Sequence, residues 1–92
     1  MKEDKVIITV SGQDKVGIVT KIAQKLAVNN VNIEDIKQTI MQDNFVMIML
    51  CDIKNLSVSF KEFKDDIQKL EAELSMEIWV QKKEIFDRMH TI

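Results

Sequence analysis

Thr9-Val10-Ser11-Gly12-Gln13-Asp14-Lys15-Val16-Gly17-Ile18-Val19 carries an apolar strand into a helix through a turn that holds both glycines of the chain. Upstream, Val6, Ile8 and Val10 alternate with Lys5, Ile7 and Thr9, the period-two pattern of a strand over residues 5–11. Downstream the period lengthens to that of a helix. Ile18, Val19, Ile22, Ala23, Leu26 and Ala27 fall on one stripe, and Thr20, Lys21, Gln24 and Lys25 on the other. Asn29-Asn30 closes the helix, because Asn tolerates the left-handed backbone that ends many helices. A helix N-terminus presents unpaired N–H groups and partial positive charge, so a carboxylate or another anion suits this turn chemically. Glycines that only let the chain turn and the helix pack closely satisfy the same pattern, and both roles stay open at this level.

Outward from that turn, a second strand is expected over residues 32–42. Asp43-Asn44 then turns tightly into a third strand over residues 45–53, paired antiparallel with the second. Residues 55–59 form a loop, and Ser59 with Glu62 reads as a capping box. Behind it Phe60, Phe63, Ile67, Leu70 and Leu74 make a helical stripe, with Lys61/Asp65, Asp65/Lys69 and Lys69/Glu73 as four-apart surface pairs. Met76, Ile78 and Val80 alternate with Glu77, Trp79 and Gln81 in a fourth strand over residues 76–82, and a short helix follows over residues 83–89.

The order is βαββαβ plus a C-terminal helix. This is the ferredoxin-like α+β pattern, with two helices on one face of a four-stranded antiparallel sheet. The third strand is apolar on both sides, through Phe45, Met47 and Met49 and through Val46, Ile48 and Leu50, yet the helices cover only one face. Ile7 and Trp79 join the uncovered face. A patch of that size is expected to be closed by self-association, either face to face or through the edge of the second strand. A charge at Trp79 or Met47 is expected to break a face contact.

With 92 residues, no proline and no linker-like tract, residues 1–92 form a single domain, whose small core makes an oligomer an expected supplement. Thirteen Lys and Arg against fifteen Asp and Glu give a net charge of -2, with the two signs interleaved rather than clustered. That balance argues against a nucleic-acid partner. No apolar run is long enough for a membrane span or a signal core, and the single Cys51 lies in an apolar strand, so a cytoplasmic protein with a buried free thiol is expected.

No catalytic set can be named, and no enzyme activity is expected. His90, the sole histidine, stands near the chain end with no partner at a mechanistic spacing. One Cys and one His fall short of a metal site, and no cofactor motif is present. The third strand lacks the stacking aromatics of an RNA-recognition module, and the only arginine, Arg88, is far from the first loop where an acylphosphatase needs one.

The ordered set Gly12-x-Asp14-Lys15-x-Gly17-Ile18-Val19, Leu26-Ala27, Asn32-Ile33-x-Asp35-Ile36-x-Gln38-Thr39, Phe45-x-Met47 and Ile85-Phe86-Asp87-x-Met89-His90 resembles the ACT domain. It is similar to small standalone ACT-domain proteins of bacteria and archaea, and to the ACT modules of the glycine-cleavage transcriptional repressor. Such modules are regulatory and commonly pair side by side. They often bind amino acids where the first strand–helix turn of one copy meets the second strand of its neighbour.

The resemblance therefore implies a ligand site drawn from Gly12, Gln13, Asp14, Lys15, Val16, Gly17 and Ile18 together with Asn32, Ile33, Asp35 and Gln38. Backbone N–H groups near Gly17 would take a carboxylate, Asp14 or Asp35 an ammonium, and the Asn32 or Gln38 amides other polar atoms. Val16-Gly17 stands where many ACT pockets carry Pro-Gly. The expectation is a homo-oligomeric sensor domain that binds an amino-acid-like metabolite and modulates an enzyme or regulator. The alternative is a ligand-free interaction module, in which Asp14 only caps the helix and Asn32 only shapes a turn.

Overall fold

The computed structural model describes residues 4–13 and 16–89. In chain order these form β1 (Lys5–Gln13), α1 (Ile18–Val28), β2 (Asn32–Met41), β3 (Asn44–Asp52), α2 (Phe60–Leu74), β4 (Glu77–Lys82) and α3 (Lys83–Met89). The sheet runs β2-β3-β1-β4 with every neighbouring pair antiparallel. This is the expected ferredoxin-like arrangement with the expected extra helix.

Alternation decides what each strand buries. Val6, Ile8 and Val10 of β1, Phe45, Met47, Met49 and Cys51 of β3, and Ile78 of β4 meet Ile18, Ile22 and Leu26 of α1 and Phe63, Ile67, Leu70 and Leu74 of α2 in one core. Both long helices close alike. The Val31 N–H donates to the Leu26 carbonyl (2.9 Å) while Asn30 turns left-handed, and the Met76 N–H donates to the Glu71 carbonyl (3.2 Å) while Ser75 does the same. These are Schellman ends, with the expected asparagine at the first and a serine at the second. Asn29 is buried and partnered. Its side-chain amide nitrogen donates to the Lys25 carbonyl (3.1 Å), and its backbone carbonyl accepts from the Ser57 N–H (3.1 Å). At the start of α2 the Ser59 hydroxyl accepts from the Glu62 N–H (3.1 Å), the expected cap.

Several local expectations need correction. β1 continues through Gly12 to Gln13, because Phe45 and Asn44 of β3 pair with those two residues. The hairpin turn is Gln42-Asp43 instead of Asp43-Asn44: Gln42 takes the left-handed backbone, and Asn44 is held in the sheet between Met41 and Gln13. No ion pair joins Lys61, Asp65 and Lys69 among the described residues; Glu73 of α2 instead meets Lys21 of α1 at 3.1 Å.

The face away from the helices is not left wholly to a partner. The C-terminal helix touches β1 and β4, and Ile7, which points to that face, is only 8% exposed. Val46 and Leu50 are half-buried there and Ile48 is exposed. Trp79 belongs to this face, at 65% exposed, but Met47 does not: it faces the helices and is 0% exposed.

Candidate functional site

Gly17 caps the N-terminus of α1 at φ 88, a left-handed conformation that glycine adopts without steric cost. Its carbonyl accepts from the Lys21 N–H (3.0 Å), so α1 begins immediately beyond it. Among the described residues a Cβ placed on Gly17 would meet nothing within 4 Å. Val16 beside it is fully exposed. Gly12 has a different reason to be glycine: a Cβ there would stand 2.6 Å from the sulfur of buried Met76.

Gly12, Gln13, Val16, Gly17 and Ile18 share one end of the sheet, the end at which Gln13, Asn44 and Met41 form a row. Asp14 and Lys15 lie outside the described residues, as does His90. The residues named from the second strand do not join them within one chain. Asn32 shares a row with Asp52 and Lys5 at the opposite end, and Ile33 is next to it. Eight residues of β1 separate the two rows, roughly 26 Å at about 3.3 Å per residue. Gln38 lies between them, in the row of Met47 and Val10. Asp35 pairs with Leu50 and so points to the face opposite α1, where its carboxylate accepts from the Ile36 N–H (2.9 Å).

β2 is the outer strand on this side, and every residue from Glu34 to Met41 is exposed. Among them Ile36 and Ile40 point to the helix side at 41% and 57% exposed. A bulge at Glu34, which pairs with Lys5 at 2.7 Å, interrupts the ladder near the Asn32 end.

Cys51 faces the core and is fully buried. Desolvation, with the nearby Glu34 carboxylate adding to it, pushes its thiol up to about 12, so it is no nucleophile at neutral pH. Among the described residues no three His, Cys, Asp or Glu side chains gather into a metal site, and no helix is long and apolar enough to cross a membrane.

A family model described as the ACT domain matches residues 4–81. The chain belongs to the ACT domain family. A UPF0237 protein of Methanocaldococcus jannaschii is 48% identical over 88 residues, which span 96% of this chain and 98% of its own length. The solved structure of an ACT domain protein from Streptococcus pneumoniae is similar at a TM-score of 0.79 and 30% identity, covering 99% of each chain. A solved glycine cleavage system transcriptional repressor shares the fold at a TM-score of 0.73 and 17% identity, over 86% of this chain and 45% of its own. This ACT domain has the regulatory fold of its family.

Two residues near the turn were missed by motif reading. Met76 explains Gly12, and Glu71 covers an outward amide of β4, its carboxylate accepting from the Ile78 N–H (2.9 Å). Neither carries a sequence signal, since each depends on which strand the end of α2 is laid against.

Proposed function

We propose that this ACT domain is a homodimeric sensor that binds an amino-acid-like carboxylate between two copies and conveys its occupancy to a partner enzyme or regulator. The observation that carries this reading is the position of Gly17 and Asn32 at opposite ends of α1, beside a long outer strand whose free edge exposes Ile36 and Ile40. Antiparallel pairing of β2 with β2 of a second copy reverses one strand against the other. Asn32 of the partner subunit then stands at the Met41 end, the end at which Gly17 opens the first turn of α1. The same pairing covers Ile36 and Ile40, apolar groups that an outer strand otherwise presents to water.

In such a junction the N–H groups of the first turn of α1 hold the ligand carboxylate, with the helix dipole adding to the attraction. Gly17 keeps the approach clear. Asp14 takes an ammonium and the Asn32 amide of the partner subunit a further polar atom. The Ile36 N–H, now held by Asp35, passes to a carbonyl of the paired strand. Occupancy stiffens the junction, and a regulated protein reads that change.

The contact of Gly12 with Met76 favours a second reading, a ligand-free interaction module, because it accounts for one of the two glycines by packing alone. A thermal-shift screen of the proteinogenic amino acids, with light scattering on the same samples, separates the two. A ligand at about 100 times its dissociation constant adds roughly 2.7 kcal/mol to the folded state. A dimer mass with a shift supports the sensor, a dimer mass with no shift supports the interaction module, and the 10.7 kDa monomer with no shift overturns both.

A further inference from the structure

We propose that the groove between α2 and the outer edge of β4 takes an extended, acidic segment of a partner protein as an added strand. This surface is independent of the β2 edge and of the ligand site. It is a groove of about 720 Å³ with an apolar floor of Ile67, Ile78 and Val80 and the exposed Trp79 on its lip. Exposed tryptophan beside an apolar cleft is the composition of an interaction hot spot.

Backbone supplies the first element of recognition. β4 pairs with β1 on one side only, and the Ile78 N–H points away from β1, toward the Glu71 carboxylate at 2.9 Å. Alternation along a strand then turns the N–H and C=O of Val80 and the N–H of Lys82 to the same outer edge. Glu71 occupies the amide at one end of that edge. The other end is open to an incoming chain, whose carbonyl would bond where the carboxylate bonds at Ile78.

Charge supplies the second element. At the open end the Lys64 and Lys82 ammoniums lie 5.7 and 5.4 Å from the centroid of the Phe60 ring, one ring flanked by two cations, and Lys61 lines the same groove. Among the described residues no carboxylate pairs with any of the three. Of the two acids lining the groove, Glu71 keeps its charge but holds it at the Ile78 end; near Phe60, Asp65 stands against Lys61 and Lys64 of the lining and the adjoining Lys82. The floor and the lysines lie on the same, helix-facing side, so the complement is an extended segment that turns apolar side chains and carboxylates to that one side, apolar over Ile78 and Val80 and acidic toward Phe60. A second copy fits less well, since it brings an identical lysine-rimmed groove against this one.

The probe is a library of random peptides displayed on phage and selected on the immobilised full chain. Acidic, proline-free peptides that carry apolar and acidic side chains at positions two apart, on one face of an extended chain, are the expected winners. In titrations with such a peptide the amide signals of Val80 and Lys82 shift, and the exposed Lys64→Glu, Lys82→Glu double variant, folded by circular dichroism, binds it roughly tenfold or more weakly. Winners that are basic or uncharged, no winners, or shifts confined to β2 overturn the proposal. Concentration-dependent shifts of β4 without peptide also overturn it, in favour of a second copy. A missing thermal shift with amino acids bears only on the sensor reading and leaves this surface untouched.

Discussion

Gly12 and Met76 are packed so closely that a Cβ on Gly12 would fall 2.6 Å from the Met76 sulfur and force that side chain to shift, while the Met76 Cα lies 3.4 Å away. The strand that leads into the glycine turn is thereby pressed against the chain entering β4. Gly17, five residues on, meets no such neighbour among the described residues. One glycine of the pair serves packing and the other leaves room.

A double-mutant cycle checks that division. Gly12→Ala is expected to destabilise the domain by about 1–3 kcal/mol through overpacking. In a Met76→Ala background the same change is expected to cost clearly less, because the side chain it collides with is gone. Urea titrations of the four proteins give the coupling energy, and additivity would refute the contact. Gly17→Ala should cost only the left-handed backbone, about 1–2 kcal/mol, in either background.

Met47 of β3 and Trp79 of β4 should respond oppositely to charge, although the sequence made both candidates for the open face. Met47→Lys places an ammonium in the core and is expected to cost several kcal/mol, enough to unfold a domain of this size. Trp79→Glu changes an exposed position and is expected to stay within about 0.5 kcal/mol of the parent. Circular dichroism with urea denaturation reads both, and a folded Met47→Lys protein would contradict the facing assigned to β3.

Cys51 makes a prediction with a definite sign in pH. Burial, then Glu34, raises its thiol from the ordinary 9.0 to about 12, so the folded chain holds the proton more tightly than the unfolded chain. The associated stability is fully present below about pH 9 and is lost as the pH climbs toward 12. Cys51→Ala should remove that alkaline loss. A thiol reagent at about pH 8 should label the unfolded protein quickly and the native one only at the rate of opening; rapid native labelling would show the thiol to be accessible.

Much of this fold is legible in local sequence because its decisive signals are local. The change of period across Gly12 to Gly17, the Asn29-Asn30 stop and the Ser59 cap each act within one turn of chain. The misplaced hairpin shows the limit. Asn44 has turn chemistry, but its pairing with both Met41 and Gln13 outweighs that preference and leaves Gln42 to adopt the left-handed backbone. The seating of α3 against β1 and β4 depends on which way a seven-residue helix folds back, and no periodicity records that.

The candidate site was legible in its parts and not in its assembly. Gly17 and Asn32 flank a single helix of eleven residues, roughly 16 Å long at about 1.5 Å per residue, so one chain holds them apart. The register shows that one chain holds these two apart; in the proposed junction a second copy brings them together.

Mixing two inactive variants tests that junction most directly. In a Gly17→Val homodimer or an Asn32→Ala homodimer, every junction lacks one component. A mixed dimer has one junction with Gly17 and the opposing Asn32 both intact, and one with neither. With the amino acid that stabilises the parent, calorimetry on each variant alone should give little binding, and co-refolding the two should restore near-parental affinity at one site per mixed dimer. Binding that stays absent after subunit exchange, with exchange itself verified by mass, would place both residues in the same chain's site and contradict the account.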